Sequence, residues 1–197
     1  MARVPYLDAE DLPEADRDLL QRPIALNRAL VNSPGLARGW RGLAQYIRYG
    51  SPLDPRLREL AIIQVGYLTR SEYEYSHHTK LGIEQFGVTP EDILAIARET
   101  DHGGGDFPEL ETAVLRAARE MVTNLAVADD TFAVLSRWLS IEMVTDLIVT
   151  IGFYCGVVRI LASLQIDVED DYAPYLERFP LPETPPAGGL KGSNDAA

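Results

Sequence analysis

The chain has 197 residues, 46% of them hydrophobic, which is enough for one domain with its own core and too short for several. Thirty acidic against eighteen basic residues give a net charge of -12; so acidic a chain repels a phosphate backbone unless its cations cluster, and with no cluster visible nucleic acid is excluded as a partner. Cys155 stands alone, which excludes an internal disulfide and any two-cysteine redox cycle and suits a reducing cytosol.

The first twenty residues carry acids and Pro13 where an export signal needs a basic start and an apolar run. Residues 8–20 mix charges with leucines, and residues 24–31 and 36–49 place apolar side chains at helical spacing, with Pro34 where a helix begins, so three short helices are expected. Asp54-Pro55 opens a fourth, to about Thr69, that is apolar nearly all round and therefore buried on most sides. Ser71-Glu72-Tyr73-Glu74 reads as a capping box at the start of a helix that ends at Gly87. Thr89-Pro90-Glu91-Asp92 starts another in the same grammar, fading near Thr100.

Residues 101–106, with three consecutive glycines, are expected to form a flexible loop, because each glycine loses more backbone entropy on ordering than other residues. Helices follow at about 108–125, 130–139 and 141–165, the last with Ile141, Val144, Ile148, Ile151, Cys155, Val158 and Ala162 on one stripe. The longest uninterrupted apolar run, residues 147–158 between Asp146 and Arg159, is shorter than the roughly 20 residues a bilayer needs. No β-hairpin pattern appears. The expectation is a soluble, cytoplasmic, all-α domain over residues 1–179, without a membrane partner, followed by a mobile Pro/Gly-rich tail over 180–197. The long apolar helix over 141–165 also offers more surface than one small domain covers, which points to a homo-oligomer.

Two consecutive helices hold the chemistry. Glu59 shares a stripe with Ile62, Ile63 and Gly66, so its carboxylate is expected inside, where burial raises its pKa. On the next helix Ser71, Glu74 and His78 fall at spacings of three and four and stack on one face. A carboxyl group facing an imidazole makes an acid and base pair that moves protons near neutral pH. Each residue also has a structural reading: capping for Ser71 and Glu74, a hydrogen bond across a helix interface for His78, and a core or pocket-wall place for Tyr73, Tyr75 and His77. Adjacent histidines on a helix diverge by about 100° and do not both reach one ion, so no metal is expected from Glu59, Glu74, His77 and His78. No glycine-flanked elbow surrounds Ser71, against a serine hydrolase, and the apolar flanks of Cys155 argue against a reactive thiolate. Arg159 is placed to pair an acid or to receive a substrate carboxylate, and Met143 and Phe153 to fill the core or an interface.

The spacing Glu59, eleven residues, Ser71, two residues, Glu74, three residues, His78 resembles the alkylhydroperoxidase D-like signature Glu-(eleven)-Cys-x-x-Cys-x-x-x-His, with Ser71 and Glu74 standing where the cysteines would be. Residues 57–62, 74–78 and 87–93 around it, with 32–36 and 150–154, extend the resemblance to carboxymuconolactone decarboxylases over most of the chain. That resemblance implies an all-helical domain assembling as dimers or hexamers. It also implies cofactor-free acid and base chemistry, a decarboxylation or isomerisation of a small-molecule lactone or carboxylate, by a carboxy-lyase-like enzyme. Glu59, Glu74, His78 and Ser71 would then be catalytic, with Glu59 and His78 shuttling protons and Glu74 assisting, and Tyr73 and His77 would bind substrate. The loss of both cysteines removes peroxidase chemistry from the implication. A ligand-binding or scaffold relative that kept only the fold is the alternative, and an alkylhydroperoxidase-type peroxidase, which would require Cys155 to act alone, is a remote third.

Overall fold

The computed structural model describes residues 2–186, and among these no β-strand occurs. The opening segment forms two 3-10 turns, Ala9–Asp11 and Glu14–Leu20, in place of the one helix expected over 8–20, because Pro13 between them lacks the amide a continuous helix needs. Helix α1 (Ala25–Leu30) and helix α2 (Pro34–Gln45) follow, and α2 ends in a wide π-type turn, Tyr46–Gly50.

Helix α3 (Pro55–Thr69) is the centre of the molecule: every residue from Leu57 to Leu68 is buried. Its two sides serve two cores. Ala61, Ile62, Val65 and Leu68 join the larger one with α1, α6 (Glu109–Asn124) and α8 (Ile141–Leu164), while Leu60, Ile63 and Tyr67 join a smaller one with Ile93 and Ile96 of α5 (Pro90–His102). Helix α4 (Glu72–Gln85) runs back along α3 after a turn in which Arg70 takes a left-handed conformation (φ 51°). The two helices approach closely at Gly66, where an added Cβ would lie 3.0 Å from the Tyr75 backbone.

The expected flexible loop is shorter than residues 101–106, because α5 continues to His102. Beyond it the Glu99 carboxylate accepts hydrogen bonds from the backbone amides of Gly104 and Gly105, each at 3.0 Å, offsetting part of the ordering entropy of those glycines. Helix α7 (Asp129–Trp138) leads into α8, whose buried stripe is Val144, Leu147, Ile151, Tyr154, Val158 and Leu161. Of the stripe expected from periodicity, Ile141 and Ala162 are exposed and Ile148 and Cys155 only half-buried; a helix apolar all round offers no contrast from which to read its inner face.

Contrary to the reading of residues 147–158 alone, all 24 residues of α8 together are long and apolar enough to cross a bilayer, with Asp146 and Arg159 included. In the fold α8 packs against α3, α6 and α7, with Leu147 and Ile151 fully buried. A further short helix, α9 (Ala173–Arg178), not foreseen in the sequence, packs on α4 and brings Phe179 into the smaller core. Leu181 packs there too, inside the stretch expected to be tail; residues 187–197 lie outside those described.

Candidate active site

The site is built where α3 and α4 face each other. Glu59 is fully buried (0% exposed) and its Oε2 lies 2.6 Å from Nδ1 of His78, itself 3% exposed. On the far side of the ring, His78 Nε2 lies 3.0 Å from Oε1 of Glu74, one helical turn earlier on α4. Arg58 closes the inner end: its Nε donates to Glu59 Oε1 at 3.0 Å. The result is a continuous line Arg58–Glu59–His78–Glu74, with both imidazole nitrogens facing carboxylates, the arrangement in which a doubly protonated ring satisfies both partners.

Charge follows from this geometry. Burial alone would push Glu59 up, as the sequence led us to expect, but the adjoining His78 charge and hydrogen bond, with Arg58, reverse the direction and hold it below the ordinary carboxylate value. Burial likewise disfavours a charged His78, yet Glu59 and then Glu74 outweigh it, and the imidazole is raised above its usual value. The inner couple is therefore a buried ion pair.

Ser71 caps α4, accepting from the Glu74 amide, and its own amide goes to the Gly66 carbonyl at 3.0 Å. The reciprocal half of a capping box is absent because the Glu74 carboxylate turns to His78 instead. His77 points the other way from His78: it is stacked between Tyr73 and Tyr172, at centroid distances of 3.9 and 3.4 Å, and its Nε2 lies 3.0 Å from Glu169 Oε2. Glu169 also accepts from the Ala25 amide at 2.6 Å, tying the chain after α8 to the start of α1. Among the described residues no set of three or more His, Cys, Asp and Glu side chains is arranged to hold a metal ion.

A cavity of about 270 Å³ opens against this line of residues, near the lower end of the roughly 300–1,000 Å³ usual for small-molecule sites. Glu74, His78, Tyr73 and His77 line it, whereas Glu59 and Ser71 do not. Its apolar wall includes Leu26, Leu30, Trp40, Phe153 and Val157, with Trp40 and Phe153 in ring contact at 4.5 Å. Polar residues that sequence reading did not single out also line it, among them Tyr154, whose ring meets His78 edge-on at 4.9 Å, and Arg48, in the π-type turn after α2. Nothing in the local pattern of either segment marks them, and only the tertiary packing brings both to the cavity. Arg159 is on the exposed side of α8, bonded to the Cys155 carbonyl, away from the cavity. Burial raises the Cys155 thiol, which does not line the cavity either.

Residues 34–120 match the family model of the carboxymuconolactone decarboxylase family. Among solved structures, the chain is similar to an alkylhydroperoxidase AhpD core, an uncharacterized peroxidase-related protein from Ralstonia eutropha JMP134, at 15% identity and a TM-score of 0.72, covering 87% of this chain and 94% of that one. It is also similar to the debrominase Bmp8, in a cysteine-to-alanine form complexed with 2,3,4-tribromopyrrole, at 19% identity and a TM-score of 0.73, covering 91% and 98%. A third, the Agrobacterium tumefaciens protein ATU0492, has 18% identity, a TM-score of 0.59 and coverages of 86% and 99%. No curated protein matches the chain. Identities this low carry the fold and not the reaction. Over residues 34–120 the chain is thus similar to the carboxymuconolactone decarboxylase family, its helical fold is alkylhydroperoxidase D-like, and with its one cysteine at position 155 it holds no Cys-x-x-Cys pair.

Proposed function

We propose that the protein is a cofactor-independent acid and base enzyme that decarboxylates or isomerises a small lactone or carboxylate. The observation that carries this reading is that Glu74 and His78 share the cavity wall in hydrogen-bond contact while Glu59 holds His78 from behind. Glu74 is the group that meets substrate as a base, His78 the acid that returns the proton, and Glu59 a positioning residue that fixes the ring and its charge. This assigns the outer and inner carboxylates roles opposite to those the family resemblance implied, because only the outer one reaches the cavity. In an isomerisation, Glu74 removes a proton from the carbon next to a carbonyl and the pair redelivers it at another carbon of the same conjugated system. In a decarboxylation, the C–C bond breaks, carbon dioxide leaves, its electron pair stays on the conjugated carbon, and that carbon takes a proton from the pair, replaced from water. Ser71, outside the cavity, acts only as the cap of α4.

The reading includes self-assembly, supported by exposed apolar side chains on α2 and α8, among them Leu36, Leu43, Val149 and Ile141. The test of the chemistry is proton NMR in deuterated water across a panel of carboxylated lactones, following solvent exchange and carbon dioxide release. Exchange or turnover that falls by about 100- to 10,000-fold in Glu74→Gln and in His78→Gln supports the acid and base assignment. No exchange with any panel member, with both variants merely less stable, would favour a scaffold that kept the fold alone.

A further inference from the structure

The cavity holds more positive charge than its own residues neutralise. Three arginines line it, Arg22, Arg41 and Arg48. Arg41 is matched by Asp18, at 2.7 Å, and is spoken for. Arg48 is half-buried, yet among the described residues no carboxylate lies within ion-pair distance of it, and its neighbours are Tyr154, on the wall of the same cavity, and the Tyr49 ring at 6.0 Å. Around the catalytic line, Glu59 is engaged by Arg58 and His78 and Glu74 by His78, so neither carboxylate is left within ion-pair distance of Arg48. An unpaired guanidinium withdrawn from water is costly, and its planar fork fits a carboxylate through two parallel hydrogen bonds.

Its position is set by the backbone. The π-type turn Tyr46–Gly50 is closed by the Ser51 amide on the Tyr46 carbonyl at 2.9 Å, and the Arg48 carbonyl accepts from Arg58 Nη1 at 2.9 Å. Arg58 thus links the Arg48 backbone directly to Glu59 and the catalytic line. Tyr154, the other neighbour of the guanidinium, is in edge contact with His78, so an anion held between Arg48 and Tyr154 lies beside the proton-transfer groups.

We propose that Arg48 and the Tyr154 hydroxyl form the specificity-determining subsite for one carboxylate of the substrate, resting on the reading of this cavity as the substrate site. A carboxylate gripped by arginine is stabilised in the ground state relative to neutral carbon dioxide, so the group bound here is one the reaction retains and not one it expels. The substrate class is accordingly a small carboxylic acid whose reacting carbon lies beyond its anchored carboxylate, toward Glu74 and His78.

The experiment is calorimetric titration of the wild-type protein with 2-furoate and with 2-furamide, a pair that differs in charge at one position. It is repeated with Arg48→Met, Arg48→Lys, Tyr154→Phe and Glu74→Gln. Expected are binding of furoate at least about tenfold tighter than furamide, and an Arg48→Met loss of about ten- to a hundredfold for furoate alone. Arg48→Lys should keep part of the affinity, and Glu74→Gln should keep or tighten it. Equal binding of acid and amide by the wild type, no furoate binding at millimolar concentration, or full furoate affinity in a folded Arg48→Met would each overturn the subsite. The acid and amide contrast uses unaltered protein, so it decides the question even where a variant fails to fold. Selective furoate binding together with Glu74→Gln and His78→Gln variants that still exchange substrate protons would instead sink the acid and base reading and leave the subsite standing.

Discussion

Glu59 and His78 meet at 2.6 Å with neither side chain open to solvent, and they meet because Gly66, two turns along the same face of α3, has no side chain to hold α4 away. An ion pair in this setting is costly to break from one side only, since the remaining charge keeps its desolvation and loses its partner.

Replacing Glu59 by Gln keeps the size and one hydrogen bond but removes the charge. Destabilisation of about 1–3 kcal/mol in urea denaturation is expected, with the His78 imidazole titrating at lower pH than in the wild type by NMR. An unchanged titration would mean that Glu59 does not set the state of His78.

The pH dependence of stability follows from the signs. His78 is raised above its ordinary 6.5, so its contribution is complete below that value and fades as pH rises through the higher folded pKa. Glu59 is lowered below 4.5, so its contribution is complete above that value and fades as pH falls through the lower folded pKa. Melting temperature against pH should show a plateau between these limits, and His78→Gln should flatten mainly the alkaline decline.

Gly66→Ala sets a Cβ 3.0 Å from the Tyr75 Cα and N, backbone atoms that cannot swing away. A loss of about 1–3 kcal/mol is expected, together with loss of proton exchange as Glu59 and His78 are pushed apart. Gly39→Ala on α2, where an added Cβ meets nothing within 4 Å, should instead be neutral or stabilising by about 0.5–1 kcal/mol. Paired chemical denaturation curves separate the two.

Cys155 is half-buried with its thiol raised by burial, so little thiolate is available for attack on peroxide. Cys155→Ala should leave proton exchange intact, and neither form should consume hydroperoxide with a dithiol reductant. Dithiol-dependent turnover in the wild type, lost in the variant, would reinstate a thiol reaction.

The helical class, most helix starts and the spacing that sets Glu74 one turn before His78 were legible in the sequence, because caps, prolines and a 3.6-residue period are local properties. Local pattern also marked α3 as buried all round. What it left open depends on partners far away in the chain. The buried face of α8 was misjudged because an all-apolar helix takes its orientation from its neighbours, and α9 was missed because six residues with little periodicity form a helix only against α4. The direction of the Glu59 shift reversed for the same reason: sequence exposes the burial, whereas the opposing charges of His78 and Arg58 act only at the distances that packing creates. The cavity, with Arg48 and Tyr154 from distant segments of the chain converging on α4, exists only in the tertiary structure, since no property of either segment alone places it beside the other.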